Sequence, residues 1–203
     1  MFTWINKAWA PPLLAALFLA GCMADTGDTP RSIDVADGAL RIVGPAGYCV
    51  DAETSRPGRA MPTVVLLPCA VFTDAGRALG PVPLLSVSLS PPISTVPDPE
   101  VLGIWAASGR GRATISRAGK AETVEVSDTL IADGVIYLTV QDRAQFPAGA
   151  VGARYWRALF VLEGRMTAAS VYMPIGVSDE AAIASGPPLL RKFVASLQQA
   201  NSP

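Results

Sequence analysis

Glycine and proline divide this chain into short segments. Its 203 residues include 18 glycines and 18 prolines, and proline is unfavourable in helix interiors and central strands. So many glycines and prolines favour short strands joined by turns over long helices. Half of the residues are hydrophobic and 16% are charged, so the chain can bury a core and extended disorder is disfavoured. The composition predicts one strand-rich domain.

The clearest strand is marked by alternating apolar and polar residues. In Leu84 to Ser90, one face carries Leu85, Val87 and Leu89 and the other carries the serines, which is typical of a strand with one buried and one wet face. Apolar runs at 39–43, 47–51 and 63–69 predict three earlier strands. The second half predicts an antiparallel meander with strands at 113–117, 122–127, 135–141, 154–162 and 165–173.

Two segments carry helix signals. Asp98 followed by Pro99 is typical of a helix start, and it predicts a short helix from Pro99 to Ala107. Near the end, apolar residues recur with helical spacing after Pro187-Pro188. The sequence therefore predicts an α+β fold: a single antiparallel sheet of about seven strands with a C-terminal amphipathic helix packed on one face.

The order of the closing elements resembles a known family. Two long strands followed by an amphipathic helix resemble the PsbP-like domains of plant thylakoids and bacterial envelopes. The resemblance lies in the last quarter of the chain and implies an α+β fold. It includes no diagnostic functional motif.

The N-terminus resembles the signal of bacterial lipoprotein precursors. Leu19-Ala20-Gly21-Cys22 closes an apolar run and matches the lipobox of that family at all four positions. The resemblance implies that residues 1–21 are a signal peptide and that Cys22 is lipidated and becomes the first mature residue. The alternatives are an ordinary secretory signal and a retained spanning helix, although the run is shorter than the roughly 20 apolar residues a bilayer requires.

The same resemblance predicts the domain organisation and the location. Residues 22–33 are small, polar and aperiodic, which is typical of a flexible tether, and residues 34–203 form a single α+β domain. Met23 follows the lipidated position, whereas enteric lipoproteins kept in the inner membrane carry aspartate there. We therefore expect a lipid-anchored protein of the outer membrane that faces the periplasm.

The remaining cysteines form an even pair. With Cys22 lipidated, Cys49 and Cys69 are left in an oxidising compartment, where a structural disulfide is expected. A redox-active pair or two buried thiols are the alternatives. If the flanking runs pair antiparallel about Arg59, the two cysteines face each other, with 52–62 as an exposed loop. Closing this loop would stabilise the fold by about 3 kcal/mol.

Few residues suggest catalysis. The chain has no histidine, which excludes Ser-His-Asp and Cys-His mechanisms and histidine metal ligation. No metal-ligand spacing or nucleotide motif occurs, and we predict no cofactor and no catalytic residue. Asp133 and Asp142 are the most noticeable carboxylates, both at predicted turns. The net charge of −1 gives no basic face for nucleic acid.

One basic cluster is a candidate binding site. It could bind a lipid headgroup, a phosphate or a peptidoglycan carboxylate, because arginine binds oxyanions bidentately. A solvated hairpin loop is the alternative. The cluster consists of Arg110, Arg112, Arg117 and Lys120.

These features predict a binding role. We expect a non-enzymatic, membrane-anchored periplasmic lipoprotein that binds an envelope protein or helps to assemble an envelope complex. A small-ligand or lipid-binding lipoprotein is the alternative, with a pocket between sheet and helix lined by residues such as Trp105 and Phe193. A carboxylate-based hydrolase is a third hypothesis.

Overall fold

The computed structural model describes residues 29–73, 82–144 and 151–202. Within those parts the chain forms nine strands and three α-helices, together with short 3-10 turns at Cys69–Phe72 and Ala121–Thr123. In chain order the elements are β1 Ser32–Val35, β2 Leu40–Val43, β3 Tyr48–Val50, β4 Thr63–Pro68, β5 Leu84–Pro92, α1 Pro99–Ala107, α2 Gly109–Ile115, β6 Val124–Ala132, β7 Val135–Asp142, β8 Val151–Leu162, β9 Arg165–Pro174 and α3 Asp179–Ala200.

Seven of these strands form one antiparallel sheet. Its order is β3-β4-β5-β9-β8-β7-β6, and β1 and β2 form a separate hairpin. The predicted α+β fold with a seven-stranded antiparallel sheet and a C-terminal helix is confirmed. Strand β1 was not predicted; Ser32 and Ile33, the last residues of the expected tether, belong to it.

Helices cover both faces of the sheet, but unequally. Helix α3 packs on β8, β9 and β2, whereas α1 and α2 lie over β6 and β7 on the opposite face. Adjacent strand residues point to opposite faces, and both Tyr155 and Trp156 are buried. Tyr155 belongs to the core under α1 and α2, and Trp156 to the core under α3. The sheet is therefore the middle of three layers.

Helix α3 begins well before the predicted start. The expectation that Pro187-Pro188 starts it is wrong, because the helix begins at Asp179 and contains both prolines. Ser178 caps it by accepting a hydrogen bond from the Ala181 N–H at 3.3 Å. Gly186 permits close packing on the sheet, since a Cβ atom there would lie 2.2 Å from the Trp156 ring.

The predicted strand at 113–117 is also wrong. This region forms α2, which is capped by Ser108 through a hydrogen bond from the Gly111 N–H to the serine Oγ at 3.1 Å. Its buried residues Gly111 and Ile115 pack beneath α1. A second short helix thus replaces an expected strand, and it completes the cover over β6 and β7.

The disulfide forms, but in a different register. Cys49 and Cys69 are bonded, with their Cα atoms 4.9 Å apart. Strand β3 pairs with β4 so that Cys49 lies opposite Leu67, two residues from the predicted register. Cys69 follows β4 in a 3-10 turn, where its N–H donates to the Gly47 carbonyl at 2.8 Å. The bond therefore runs diagonally, from the middle residue of β3 to the residue that follows β4.

Candidate ligand-binding groove

A groove remains where α1 and α2 leave the sheet uncovered. Its floor is one row of side chains across four strands, because Thr63 pairs with Ser88, Ser88 with Ala168 and Ala168 with Leu159. The groove has a volume of about 1130 Å³, which is large enough for a drug-sized or lipid-like ligand. We call the space lined by these four residues, Leu102 and Trp105 the groove.

One wall of the groove is formed by the two short helices. Leu102 and Trp105 of α1 and Thr114 of α2 line it. Asp98 caps α1 by accepting hydrogen bonds from the next two free N–H groups of the first turn, at 2.8 and 3.2 Å. Gly111 lets the helices cross closely, since a Cβ atom there would lie 1.9 Å from the Trp105 carbonyl oxygen. This contact fixes where Trp105 stands in the wall.

A buried ion pair attaches this wall to the sheet. The guanidinium of Arg117, just after α2, lies 3.3 Å from the Asp142 carboxylate at the end of β7. It also donates to the carbonyls of Asp142, Ala144 and Gly152 at 2.6, 2.9 and 3.2 Å. Burial raises the pKa of Asp142, but hydrogen bonds from the Arg117 and Ala144 N–H groups and the nearby guanidinium bring it below its usual value.

A second row of polar residues ties the end of α2 to the floor. Arg157, next to Leu159 on the same face, donates from Nε to Ser170 Oγ at 2.9 Å and from Nη2 to the Tyr172 hydroxyl at 3.2 Å. Its Nη1 and the Tyr155 hydroxyl both donate to the last carbonyl of α2, at 3.3 and 2.9 Å. A cation at a helix C-terminus is favourable. These hydrogen bonds connect the C-terminal end of α2 to strands β8 and β9 and so fix its position relative to the groove floor.

The opposite wall comes from residues 52–62, which were expected to form a plain exposed loop. Asp51 and Ser55 are buried at its start. Ser55 Oγ accepts a hydrogen bond from the Val65 N–H at 2.9 Å, and Asp51 accepts from Glu53 N–H at 3.1 Å. Arg56 and Thr63 exchange backbone hydrogen bonds at 2.7 and 3.2 Å. These hydrogen bonds fix the backbone of the loop, so it forms an ordered wall, although most of its side chains are exposed.

The charged side chains of the groove are all arginine. Arg56 and Arg59 line it from the loop side. No aspartate or glutamate stands among the described residues that line it, although the whole chain has 17 acidic residues. Sequence reasoning missed both arginines as site residues, because their loop carries no binding motif.

The residues of the predicted basic cluster have different environments. Arg117 forms a buried ion pair with Asp142, whereas Arg110 and Lys120 are exposed. Arg112 is half-buried, and its Nε has no hydrogen-bond partner among the described residues. The cluster does not act as one exposed set, since Arg117 is held in the structure. An anion-binding role for the other three stays a prediction.

The other predicted site residues lie far apart in the fold and do not form one site. Asp133 sits in the β6–β7 turn and Asp142 at the far end of β7, so this carboxylate pair does not meet. Trp105 lines the groove, but Phe193 belongs to α3, is fully buried on the other face of the sheet and lines no part of the groove. Cys22 lies outside the described residues.

The described residues show neither a metal cluster nor a membrane-spanning helix. No group of three or more cysteine, aspartate or glutamate side chains in these parts is placed to hold a metal ion. Of the helices described, none combines the length and apolar character needed to cross a membrane.

Comparison with known proteins finds similarity in structure. No family model matches the chain, and no curated protein matches it significantly. It is similar to the solution structure of cyanobacterial PsbP (CyanoP) from Synechocystis sp. PCC 6803, with 12% identity and a TM-score of 0.45 over 88% of this chain and 96% of that one. A mutant of the protein Mog1 gives 14% identity and a TM-score of 0.42 over 84% and 91%.

Proposed function

We propose that this chain is a lipid-anchored binding protein whose groove holds the apolar chain of an envelope amphiphile. The groove carries the proposal: Leu102, Trp105, Leu159 and Ala168 present an apolar channel on one side of a packed sheet. Monomeric proteins rarely leave large apolar surfaces uncovered unless something binds there. The opposite face is filled by α3, which leaves this side for a ligand.

The proposed anchor is Cys22. Its lipobox supports export, lipidation at Cys22 and attachment to the outer membrane, with the domain in the periplasm. The Cys49–Cys69 disulfide fits an oxidising compartment of that kind. Beyond the tether, the groove would lie within reach of membrane lipids, because ten extended residues span at most about 35 Å.

Filling the groove tests the binding role. We expect Ala168→Phe, in the groove floor, to reduce binding of a neutral long-chain alcohol by at least about tenfold, since the ring would occupy the channel. The measurement uses full-length protein in phosphatidylcholine nanodiscs and an alcohol carrying a photoactivatable diazirine. Crosslinked peptides are then identified by mass spectrometry, and those of wild-type protein should contain Leu102, Trp105 or Leu159.

The matched control places the same ring outside the groove. Ala184 is exposed on α3, and Ala184→Phe should crosslink like the wild type. Wild-type crosslinks spread over the whole surface, or equal yields from Ala168→Phe and wild type, would contradict the binding role of the groove.

Removing the thiol tests the anchor. Cys22→Ser should abolish acylation and leave an uncut precursor or a protein released from membranes, because the serine hydroxyl does not replace the lipidated thiol. Metabolic labelling with a palmitate analogue and membrane fractionation measure this, with Cys49→Ser as a control that should keep its label. Labelled, membrane-bound Cys22→Ser protein would refute lipidation at this residue.

A second candidate function, docking of an envelope protein, is supported by the outer side of α1. Ile104 is 75% exposed and Val101 is 62% exposed, and Glu100 precedes Ile104 by one helical turn on the same side. A helix with apolar residues on its inner and outer sides is usually covered on both. The matching partner surface would be apolar and basic.

A photocrosslinking amino acid at position 104 tests this docking. We expect it to trap one discrete envelope protein in intact cells, and adding Glu100→Lys should weaken the crosslink several-fold by reversing the charge. Ile183 on α3 has comparable exposure, 54%, and provides the control position. The same products from positions 104 and 183 would show that the α1 surface is not a specific interface.

A further inference from the structure

We infer that the groove selects an anionic amphiphile, with the acidic headgroup bound by Arg56 and Arg59 at the loop wall. This inference rests on the proposed function of the groove and adds the chemical class of its ligand. Three observations carry it: the orientation of Arg56, the charge of the lining, and the construction of the loop.

The Arg56 guanidinium is oriented before any ligand arrives. Its Nη1 donates to the backbone carbonyls of Glu53 and Ser55 at 2.8 and 2.7 Å. Among the described residues, neither its Nε nor its Nη2 has a hydrogen-bond partner, and no carboxylate forms an ion pair with it. One edge of the fork is therefore fixed and the other is free. A free guanidinium edge is the geometry that binds a carboxylate or phosphate bidentately.

Arg59 adds a second positive charge to the same wall. It is exposed and makes no hydrogen bond or ion pair with any described residue. The groove has no acidic side chain among its described lining residues, so none of these residues neutralises the two arginines. An apolar channel with two cations on one wall is complementary to an apolar chain that ends in an anion.

The loop that carries both arginines is held at several points. The Cys49–Cys69 bond links the two ends of the β3–β4 connection that contains it, and the loop's own Ser55 is buried with 4% exposure. The backbone pairing of Arg56 with Thr63 places the first arginine beside the groove floor. Because the arginine is already positioned, less conformational entropy is lost when an anion binds.

The ligand class follows from these features together. The apolar part fits beside Trp105, Leu159 and Ala168, and the headgroup is a carboxylate or a phosphate. Fatty acids and single-chain phospholipids share this chemistry. Free inorganic phosphate shares the headgroup without the chain, so the experiment separates the two sources.

Matched acid and alcohol probes provide the test. Full-length protein in phosphatidylcholine nanodiscs is titrated with a diazirine fatty acid and with the alcohol of the same chain, at a pH where the acid is ionised. We expect the acid to half-saturate groove crosslinking at roughly tenfold lower concentration, as a charge-assisted pair would give. Arg59→Met and Arg56→Lys should each remove most of that preference, measured in each variant as the ratio of the concentrations at which alcohol and acid half-saturate crosslinking.

Arg110→Met is the matched control, because Arg110 is exposed on α2 and does not line the groove. It should keep the tenfold preference. Excess inorganic phosphate should leave alcohol crosslinking unchanged and compete only weakly with the acid, since it cannot occupy the channel. A phosphonate of the same chain length should bind like the acid.

Four results would overturn the inference. Equal binding of acid and alcohol to wild type would do so while leaving the groove's function intact, whereas crosslinking by neither probe would remove the proposed function itself. Loss of the preference in Arg110→Met, but not in Arg56→Lys or Arg59→Met, would place the anion at the basic cluster. Full displacement of the acid by phosphate would indicate a site for free anions.

Discussion

Replacing Asp142 with asparagine is expected to lower the free energy of unfolding by about 3–5 kcal/mol, as removal of one partner from a buried ion pair does. The substitution keeps the side-chain shape but leaves the Arg117 guanidinium buried beside a neutral amide. Urea unfolding at neutral pH measures the loss. Because this pair attaches α2 to the sheet, binding of the neutral alcohol should weaken as well.

The pH dependence of that loss has a defined sign. The pKa of Asp142 is lowered in the folded protein, so its contribution is fully present above the unfolded value of about 3.9. It is lost as the pH falls through the lower folded value. The stability difference between wild type and Asp142→Asn should therefore shrink as the pH falls below about 4.

Asp133→Asn is the control for this experiment. Asp133 is exposed in a turn at φ 51°, a conformation that asparagine also tolerates. Its free energy of unfolding should stay within about 0.5 kcal/mol of the wild type. A similar effect from both substitutions would mean that the Arg117–Asp142 pair has no special structural role.

Gly111→Ala is expected to cost about 3 kcal/mol, the upper part of the range for overpacking. The added Cβ would lie 1.9 Å from the Trp105 carbonyl oxygen and 2.7 Å from the Ala106 Cα. Both are backbone atoms, so the helices must move apart. Thermal unfolding measures the loss, and the fluorescence of Trp105 should change because this residue moves in the groove wall.

Gly109→Ala gives a control in the same helix. A Cβ atom at Gly109 would meet nothing within 4 Å, and alanine is the better helix former by up to about 1 kcal/mol. This variant should be as stable as the wild type or more stable. If Gly111→Ala is equally well tolerated, the close crossing of α1 and α2 does not determine the position of the groove wall.

The sheet could be predicted from sequence because its signal is local. Alternation from Leu84 to Ser90 gives the buried and exposed faces of β5 without any knowledge of its neighbours. The Asp98–Pro99 signal gives the start of α1 in the same way. Local signals of this kind report the type of an element, and both predictions agree with the structure.

The wrong start of α3 and the missed helix α2 have different causes. The start of α3 had an available signal, since Ser178 is followed by Asp179 and Glu180, an N-cap with acids in the first turn. The Pro187-Pro188 pair outweighed it, because proline is common at helix starts. Helix α2 contains two glycines, which are poor helix formers. Its packing against α1 stabilises it, and that contact is not visible in the local sequence.

The groove had no signal of its own. Its floor joins Thr63, Ser88, Leu159 and Ala168, which meet because of the register of four strands that are distant in sequence. The sequence indicates Trp105 as a possible pocket residue because its side chain is large and aromatic. The sequence predicts Arg59 as the midpoint of the β3–β4 hairpin, but the register of the two strands differs from that prediction by two residues. Long-range pairing, rather than any motif, determines this site.

Methionine methyl NMR tests the central claim, that an apolar chain occupies the groove, most directly. Met61 and Met166 line the groove, whereas Met173 is buried in the core under α3 on the opposite face. Full-length protein in nanodiscs is titrated with a long-chain alcohol that carries a nitroxide near the end of its chain. The account predicts that the Met61 and Met166 signals broaden beyond detection while the Met173 signal is largely kept. Signals of Met61 and Met166 that persist as strongly as that of Met173 would contradict it.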